Sequence, residues 1–468
     1  GQDAATQFYP WYAYLGERLR EFGIPSWNPS QFSGAPFAAD PQSGWSYLPA
    51  MGLFAAFPLA VAVPLFIVFH LALAGFSIYA LARLLKIPPL GALAAGAAYM
   101  LSGPIFSRSV CCPAQVQVGA WVPLLLVGGE LALRQPILRR RIPGIVLAAL
   151  AMSQILASWL GQGSYYALML MGAYLSWRAF VQPARPNVPW RERFYDFFST
   201  SFIFGALAAG YNALGWLPRL EYNRLSNVAG GSYAGLGETA SMTGGWQAGQ
   251  TVFEHVTRNS YYPGGITITL AVIAVVLARG RHLSIFFGLV VVGGFVLSSS
   301  QRTPLHELLF AILPMFESLH SHWPQRIALV GFPAVALLAG TAIGALPGWR
   351  GRWRALLGLS LLPIGITIGF VIGLRRAGDA LPLVVLLSVA AVVLVLALLG
   401  WERFAPVWPM VPAIATGLLV LDLMAANGEM LKHGDYGGFR KFDVASYFAI
   451  TPGAEFIRRQ TGDQAGRY

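Results

Sequence analysis

Length, composition and charge exclude an ordinary soluble domain. The chain has 468 residues, of which 56% are hydrophobic and only 11% are charged, and its mean hydropathy is +0.57, whereas a water-facing surface needs far more charge. The net charge of +12 would suit nucleic acid, but the basic residues follow the membrane pattern described below, so we expect no nucleic-acid partner.

The predicted elements begin with a polar first loop over residues 1–46. Its segment Tyr9 to Phe22 predicts a helix with one apolar stripe, formed by Trp11, Leu15, Leu19 and Phe22. A helix of this pattern is expected to lie flat on the membrane surface. The next segment, Gly23 to Pro49, is rich in Gly, Pro and aromatic residues and predicts a compact loop built from turns.

Twelve stretches approach the roughly 20 apolar residues that a helix needs to cross the hydrocarbon core. They extend over 58–83, 90–107, 114–133, 143–160, 164–180, 194–216, 264–278, 283–299, 327–346, 355–374, 381–399 and 407–424. We therefore predict an all-α polytopic integral membrane protein, with a transmembrane bundle of about 12 helices in residues 47–424.

Basic residues are distributed unevenly between the two sets of alternate loops. Sixteen Lys or Arg residues fall on one side of the predicted bundle and eight on the other. The richer side faces the cytoplasm by the positive-inside rule. The regions predicted to lie outside are 1–46, 217–263, 300–326 and 425–468. On the inner side, the run Arg139–Arg141 is expected to contact anionic lipid head groups.

We expect the protein to continue beyond both ends of this sequence. A chain whose first residue lies outside needs something to translocate it, so we expect an N-terminal helix before Gly1. The polar ending at Arg467 and Tyr468 is expected to continue into a larger external region.

The sequence contains two cysteines, Cys111 and Cys112, which are adjacent. They are compatible with a vicinal disulfide, but we expect two unpaired small residues. There is no CxxC, HExxH, Walker-type or GxSxG motif, so no soluble-enzyme signature competes with the membrane interpretation.

Asp3 is the first candidate catalytic residue. It would stand directly after the expected first helix, at the outer membrane boundary, where partial loss of solvent raises the basicity of a carboxylate. The structural alternative is a polar residue that caps the following helix.

Asp40 is the second candidate, in the segment Ala39-Asp40-Pro41-Gln42. Its carboxylate would suit a sugar hydroxyl, a metal ion or the architecture of the loop. An Asx-turn before proline is the structural alternative, and it is the reading that chemistry alone favours.

A third group lies in the segment Phe316 to Arg326, which reads FESLHSHWPQR. His320, His322 and Arg326 precede a predicted span and would suit a phosphate group, to which an arginine gives two parallel hydrogen bonds. Positive residues flanking a span are the structural alternative. The spacing of the two histidines does not support a zinc site.

The order of these motifs resembles the bacterial YfhO-like membrane proteins, which belong to the GT-C class of polyprenyl-linked glycosyltransferases. The resemblance is carried by DAATQFYPW, by GIPSWNPSQFSGAPFAADPQSGWSYLP, by AYMLSGPIFSR and by HWPQRIALVGFPAVALLAG. It covers most of the chain, and the first-loop motif is its specific part. The sequence departs from the pattern at Gly161-Gln162-Gly163-Ser164, where relatives tend to carry a histidine after glycine, and in the His-Trp context of Pro324-Gln325-Arg326.

The resemblance implies a GT-C-like helical bundle in the bacterial inner membrane. It implies inverting transfer of a sugar from a polyprenyl-phosphate donor to an extracytoplasmic acceptor, a cell-envelope glycan or lipid. Asp3 matches the general base, Asp40 and Gln42 match an Asp-Pro-Gln element, and Arg326 with its neighbours would stabilise the departing phosphate. A divalent metal is optional in this scheme, and membrane lipids are the other expected partners.

Two other functions remain open at this point. The chain would also suit a catalytically inactive scaffold subunit that binds other membrane proteins in a larger complex. A lipid or polysaccharide flippase would need a continuous polar path through the helices, and the sequence shows no run of intramembrane carboxylates or lysines.

Overall fold

The fold is all-α, as predicted. The computed structural model describes residues 3–31, 34–225, 261–278, 280–352, 355–356, 358, 409–433 and 449–461. These ranges contain no β-strand, and Asn28 and Ala35 form an isolated antiparallel bridge. The α-helices are α1 Tyr9–Arg20, α2 Leu48–Ala56, α3 Leu59–Leu84, α4 Pro89–Met100, α5 Gly103–Cys111, α6 Pro113–Leu133, α7 Leu138–Ser158, α8 Gln162–Ser176, α9 Trp190–Tyr211, α10 Ala213–Leu225, α11 Gly265–Leu277, α12 Ser284–Leu297, α13 Pro304–Ile312, α14 Phe316–His320, α15 Ala328–Ala345, α16 Val411–His433 and α17 Pro452–Thr461.

Five described helical segments have the length and apolarity that a membrane crossing requires, and the number rises to seven if two bent pairs each count as one span. The bent pairs are α4 with α5, at 40°, and α9 with α10, at 78°. Such segments bury their backbone polar groups in their own hydrogen bonds, which a bilayer demands. The chain is therefore a multi-pass membrane protein.

Ten of the predicted apolar stretches coincide with described helices, with differences at their ends. The stretch 381–399 lies outside the described residues, and 355–374 lies almost wholly outside them. α11 and α12 have only 13 and 14 residues, about 20 Å each at 1.5 Å per residue, which is shorter than the hydrocarbon core. α10 continues to Leu225, so the loop predicted from residue 217 starts later.

Glycines allow the central helices to touch. A Cβ atom on Gly91 of α4 would lie 2.4 Å from the carbonyl oxygen of Gly340 in α15, and one on Gly128 of α6 would lie 2.6 Å from that of Gly144 in α7. Without a water-driven hydrophobic effect between spans, close approach of this kind supplies the packing energy. These contacts fix the helices whose ends carry the candidate site.

Alternate loops gather at opposite ends of the bundle. At the end formed by 85–88, 134–137, 182–189 and 278–283, called here the Arg-rich end, the loops are joined by hydrogen bonds, such as the one from Gln182 Nε2 to the Gly280 carbonyl at 3.3 Å. At the end formed by 34–47, 159–161, 261–264 and 298–327, called here the loop end, the Gly103 amide donates to the Tyr262 carbonyl at 2.8 Å. This alternation is the one on which the charge count relied.

The apolar stripe predicted for α1 packs on protein in part, because Leu15 is buried and Trp11 and Leu19 are partly buried against the core. The buried residues are Tyr9, Tyr12, Leu15 and Gly16, while Phe22 is 99% exposed. The buried face packs on α2, and the Tyr12 ring meets the Phe54 ring at 5.3 Å. The aromatic residues give α1 apolar groups on more than one side, so the face that packs on protein is wider than the predicted stripe.

Two further expectations are corrected. Cys111 and Cys112 form a disulfide at the break between α5 and α6, where Cys112 leaves the helical conformation. Arg141 is buried and forms an ion pair with Asp196, although Arg139 and Arg140 are exposed as expected. α9 packs beside the start of α7 and supplies the buried carboxylate that draws Arg141 inwards.

Candidate active site

Asp3 lies at the start of a single π-helical turn, Ala4–Phe8, that leads into α1. Ala4, Ala5 and Phe8 are buried, whereas Asp3 is exposed and its side chain makes no capping hydrogen bond. The Asp3 side chain therefore does not cap the following helix. One turn later, Gln7 Nε2 donates to Gln42 Oε1 at 3.0 Å, so the segment that carries Asp3 is tied to the Asp-Pro-Gln element.

Asp40 makes the Asx-turn that the residue before a proline favours. Its Oδ1 accepts from the Gln42 amide at 2.8 Å, and its carbonyl accepts from the Ser43 hydroxyl at 3.0 Å. Burial raises the pKa of the Asp40 carboxyl above its ordinary value, although the Gln42 hydrogen bond and the charge of Arg219 oppose that shift. The turn thus holds a partly buried carboxylate with raised basicity beside a cation.

Arg219 of α10 is the cation whose charge acts on Asp40. Its side chain is almost completely buried and donates to the carbonyls of Leu156 at 3.1 Å and Ala157 at 2.9 Å, and to that of Trp45 at 3.0 Å. The guanidinium caps the C-terminus of α7, where the helix dipole favours positive charge. Its Nε has no hydrogen-bond partner among the described residues.

More polar atoms without partners surround the bend between α9 and α10. Both side-chain polar atoms of buried Asn212 lack a hydrogen bond within the described ranges, as does the hydroxyl of Ser46. Gly215 leaves the space for them, because a Cβ there would lie 2.1 Å from Ser46 Oγ and 2.5 Å from Asn212 Oδ1. Buried polar groups are normally paired, so this set suits a polar ligand or ordered water.

A second part of the site forms around Arg326. Its Nη1 donates to Gln162 Oε1 at 3.1 Å, and its guanidinium lies 5.5 Å from the Trp159 ring and 5.7 Å from the Trp323 ring. Gln162 in turn donates to the His322 carbonyl at 2.7 Å. The two segments in which the sequence departs from the family pattern are therefore in direct contact.

His320 is connected to Gln162 through the hydroxyl of Tyr166. Gln162 Nε2 donates to Tyr166 Oη at 2.9 Å, Tyr166 Oη lies 2.8 Å from His320 Nδ1, and His320 Nε2 lies 2.9 Å from the Leu297 carbonyl. The neutral ring satisfies all these contacts if Nε2 carries the proton. Burial lowers the pKa of His320 to about 3, so His320 is a neutral positioning group here and supplies no positive charge.

The C-terminus of α7 joins the two parts. The carbonyl of Ala157 binds Arg219, and two residues later the indole of Trp159 faces Arg326. Two guanidinium groups thus flank one helix end, and the first loop with its carboxylates lies on the Arg219 side. This arrangement presents cations for a phosphate and carboxylates for a hydroxyl at the loop end.

The described residues do not bring together three His, Cys, Asp or Glu side chains that could hold a metal ion. Of the candidates from the sequence, the structure connects Gln42 to the Asp3 segment, and connects Arg326 to Gln162 and, through the Gln162 and Tyr166 side chains, to His320. The side chain of His322 lies beside the Trp323 ring, with centroids 6.3 Å apart.

Sequence reasoning missed Gln162, Tyr166, Asn212 and Arg219 as site residues. A signal existed for Arg219, because it follows a proline within a mostly apolar helix where an arginine needs a buried partner. Gln162 was marked only as a departure from a motif. Tyr166 and Asn212 had no pattern that distinguishes them from other polar residues of spans.

Two solved structures resemble this chain. ArnT from Cupriavidus metallidurans bound to undecaprenyl phosphate is 14% identical, with a TM-score of 0.50 over 89% of this chain and 70% of that chain. The apo state of the same enzyme is 15% identical, with a TM-score of 0.46 over 91% and 72% of the two chains. No protein-family profile matches, nor does any curated protein. The likeness shows that the chain has the helical fold of ArnT, which agrees with the GT-C-like helical bundle predicted from the sequence.

Proposed function

We propose that this protein is a membrane glycosyltransferase of the GT-C type, of the YfhO-like kind, that transfers a sugar from a polyprenyl-phosphate donor to an acceptor outside the bacterial inner membrane. The observation that carries the proposal is the position of Arg219 and Arg326 on either side of the C-terminus of α7 at the loop end, with Asp40 close enough for its charge to act on Arg219. A polyprenyl phosphate has a lipid tail and an anionic head, which suits a cationic site at the end of a membrane bundle.

The fold supports the donor class. The ArnT structure that this chain resembles was solved with undecaprenyl phosphate bound. The unequal charge of the two ends supports an external site, because the loop end is the end with fewer Lys and Arg residues. Cell-envelope glycans and lipids are the acceptors available on that side.

The chemistry is a single displacement. Asp3 accepts the proton of the acceptor hydroxyl while the hydroxyl oxygen attacks the anomeric carbon on the face opposite the phosphate. The bond from the anomeric carbon to the phosphate oxygen breaks, and its electron pair stays on the phosphate. The products are polyprenyl phosphate and a glycosidic bond of inverted configuration.

The other residues divide the remaining work. Arg326, held by Gln162, faces the phosphate and stabilises the charge that develops on it. Arg219 and Asp40 organise the first loop, and the unpaired groups of Ser46 and Asn212 provide contacts for sugar hydroxyls. The exposed position of Asp3 leaves its carboxylate accessible to an acceptor.

The test compares two variants that each remove one carboxylate near the N-terminus. Purified protein in bilayer nanodiscs receives undecaprenyl phosphate carrying radiolabelled hexose or pentose, and membrane extract serves as the acceptor. Asp3→Asn should lower transfer by at least about 100-fold, as loss of a general base does. Glu17→Gln, which changes an exposed carboxylate of α1, should retain it. Equal turnover in the two variants, with both folded by size exclusion, would reject Asp3 as the base.

One observation favours the inactive scaffold subunit as a second candidate. Arg326 is already engaged by Gln162 and lies between two indoles, as expected of a site filled by its own side chains. A scaffold should copurify with other membrane proteins in fixed stoichiometry. In cells that lack the wild-type protein, Asp3→Asn should then preserve that stoichiometry and restore wild-type growth. Failure of Asp3→Asn to restore growth at normal complex levels favours the enzyme.

A further inference from the structure

The Arg-rich end contains an open cleft at the opposite end of the bundle from the candidate active site. The lining of this cleft includes Arg178, Arg185, Arg193 and Asp196. It lies under the turn 182–189 that connects the end of the α8 segment to α9. The proposed transfer reaction does not use any of these residues.

The charges around this cleft do not balance. Glu130 is bound by Arg134 and by both Nε and Nη2 of Arg178, at 2.7 to 2.8 Å. Asp196 is shared by Arg141 and Arg185, and Arg193 donates to the backbone carbonyls of Val188 and Pro186. With the exposed Glu192 counted, the five arginines named here face three carboxylates, which leaves an excess of two positive charges.

Arg141 has one more donor than its surroundings use. It is only 2% exposed, and its Nε donates to the Gln135 carbonyl at 2.9 Å while its Nη2 donates to that of Pro136 at 2.8 Å. Its Nη1 is buried without a hydrogen-bond partner among the described residues. Since buried N–H groups normally find an acceptor, the cluster behind Asp196 is short of acceptor oxygen as well as of negative charge.

The surface beside the cleft is suited to lipid. Trp190, Phe194 and Phe198 follow one another at intervals of four residues along α9, and they are 60%, 50% and 51% exposed. A tryptophan near the end of a span is typical of the membrane–water interface, and the two phenylalanines continue the exposed apolar surface along α9. A ligand whose head lies among the arginines would therefore have an apolar stripe for its tails, which a soluble anion does not need.

We propose that this cleft binds the phosphate group of an anionic membrane lipid from the leaflet at the Arg-rich end. The phosphate oxygens accept from Arg185 and Arg193 and supply the negative charge that the cluster lacks, and the acyl chains lie along Trp190, Phe194 and Phe198. Arg139 and Arg140, which are exposed on the same end, contribute only to general attraction.

Native mass spectrometry of the full-length protein with phosphatidylglycerol tests this site. Wild type should retain one phosphatidylglycerol molecule under conditions that remove phosphatidylcholine. Arg193→Gln should weaken retention at least about tenfold, the loss expected for one charge-assisted contact, and Arg139→Gln should leave it unchanged. Equal retention in both variants, or equal retention of the two lipids, would overturn the proposal.

A second variant guards against loss of folding. Ala184→Glu places a carboxylate at the lining of the cleft and should displace phosphatidylglycerol while the protein keeps its thermal stability. Inorganic phosphate at millimolar concentration should not raise the melting temperature of delipidated wild type, whereas phosphatidylglycerol should. Equal stabilisation by inorganic phosphate would identify a site for soluble anions and reject the lipid.

Discussion

Arg326 donates a hydrogen bond to Gln162 at 3.1 Å, although 164 residues separate them in the chain. The contact joins the start of α8 to the turn before α15, and it orients the guanidinium that faces the proposed phosphate. The indole rings of Trp159 and Trp323 also contact this guanidinium. The direction of the cation is thus fixed by side chains before any ligand arrives, which is the preorganisation that charge stabilisation in a transition state requires.

Replacing Arg326 with lysine tests whether sugar transfer needs only a positive charge at this position or also the bidentate hydrogen bonding of a guanidinium. A lysine keeps the positive charge and can still lie against the two indoles, but it cannot give two parallel hydrogen bonds to a phosphate. We expect sugar transfer by Arg326→Lys to fall about tenfold or more, the scale of one lost bidentate contact. The measurement is initial rate against donor concentration in nanodiscs.

Arg302→Lys provides the matched control for this change. Arg302 lies in the same loop and pairs with Glu317 at 2.6 Å, and it has no assigned part in the reaction. Transfer by this variant should remain within about twofold of wild type, since exposed ion pairs contribute little. A comparable loss in both variants would mean that Arg326 serves the loop and not the phosphate.

Asp40→Asn should preserve or slightly raise stability at neutral pH and lower transfer. Burial raises the pKa of Asp40 in the folded protein, so the carboxyl favours folding below its ordinary pKa and loses that contribution as the pH rises through the raised value. Asparagine keeps an oxygen for the Gln42 amide and carries no charge. The gain should stay below about 1 kcal/mol, because the group is partly solvated.

Thermal unfolding in detergent between pH 4 and pH 8 measures this difference. The melting temperature of Asp40→Asn should equal that of wild type near pH 4 and meet or exceed it at pH 8. A variant that is less stable than wild type at pH 8 would show that the attraction between the charges of Asp40 and Arg219 outweighs the cost of burying the carboxylate.

The membrane helices were predictable because apolar length is dictated by the bilayer, and the structure places helices on the described stretches. The contacts that build the site were not, since they join residues far apart in the chain. Gln162 meets Arg326, and Arg219 acts on Asp40, only because the end of α7, the start of α8 and the middle of α10 lie close together. The burial of Arg141 was also unpredictable from the sequence, because its ion-pair partner Asp196 belongs to another helix.

His320 should make the folded protein sensitive to acid. Its folded pKa of about 3 lies below the ordinary value near 6.5, so its contribution to stability is complete above pH 6.5 and decreases as the pH falls towards 3. His306, whose pKa is also lowered by burial, shares the Leu297 carbonyl with it. The nearby charged groups are Arg302 and Glu307, which oppose each other.

His320→Gln removes this titration and can still donate to the Leu297 carbonyl. Between pH 7 and pH 4.5, the melting temperature of wild type should fall more steeply than that of the variant. His306→Gln should also flatten the curve, because burial lowers the pKa of His306 too. Identical slopes in wild type and His320→Gln would place the acid sensitivity in another group.

Gly16→Ala should separate α1 from α2 and disturb the first loop. A Cβ at Gly16 would lie 2.1 Å from the carbonyl oxygen of Phe54, which also accepts a hydrogen bond from Arg20 at 2.9 Å, and a backbone atom cannot rotate away. We expect a cost of about 1 to 3 kcal/mol, as for other overpacked contacts.

Gly52→Ala is the appropriate comparison for that variant, because the same added methyl group on α2 meets no atom within 4 Å and improves helix propensity. Its melting temperature and transfer rate should equal or exceed those of wild type. Gly16→Ala should lower both the melting temperature and the transfer rate. Tyr12 lies on the same face of α1 and accepts a hydrogen bond from Gln117 at 2.8 Å, so a shift of α1 also disturbs this contact with the bundle. Wild-type transfer by a folded Gly16→Ala protein would show that the position of α1 against the bundle does not control the site, and the part assigned to Asp3 would fail with it.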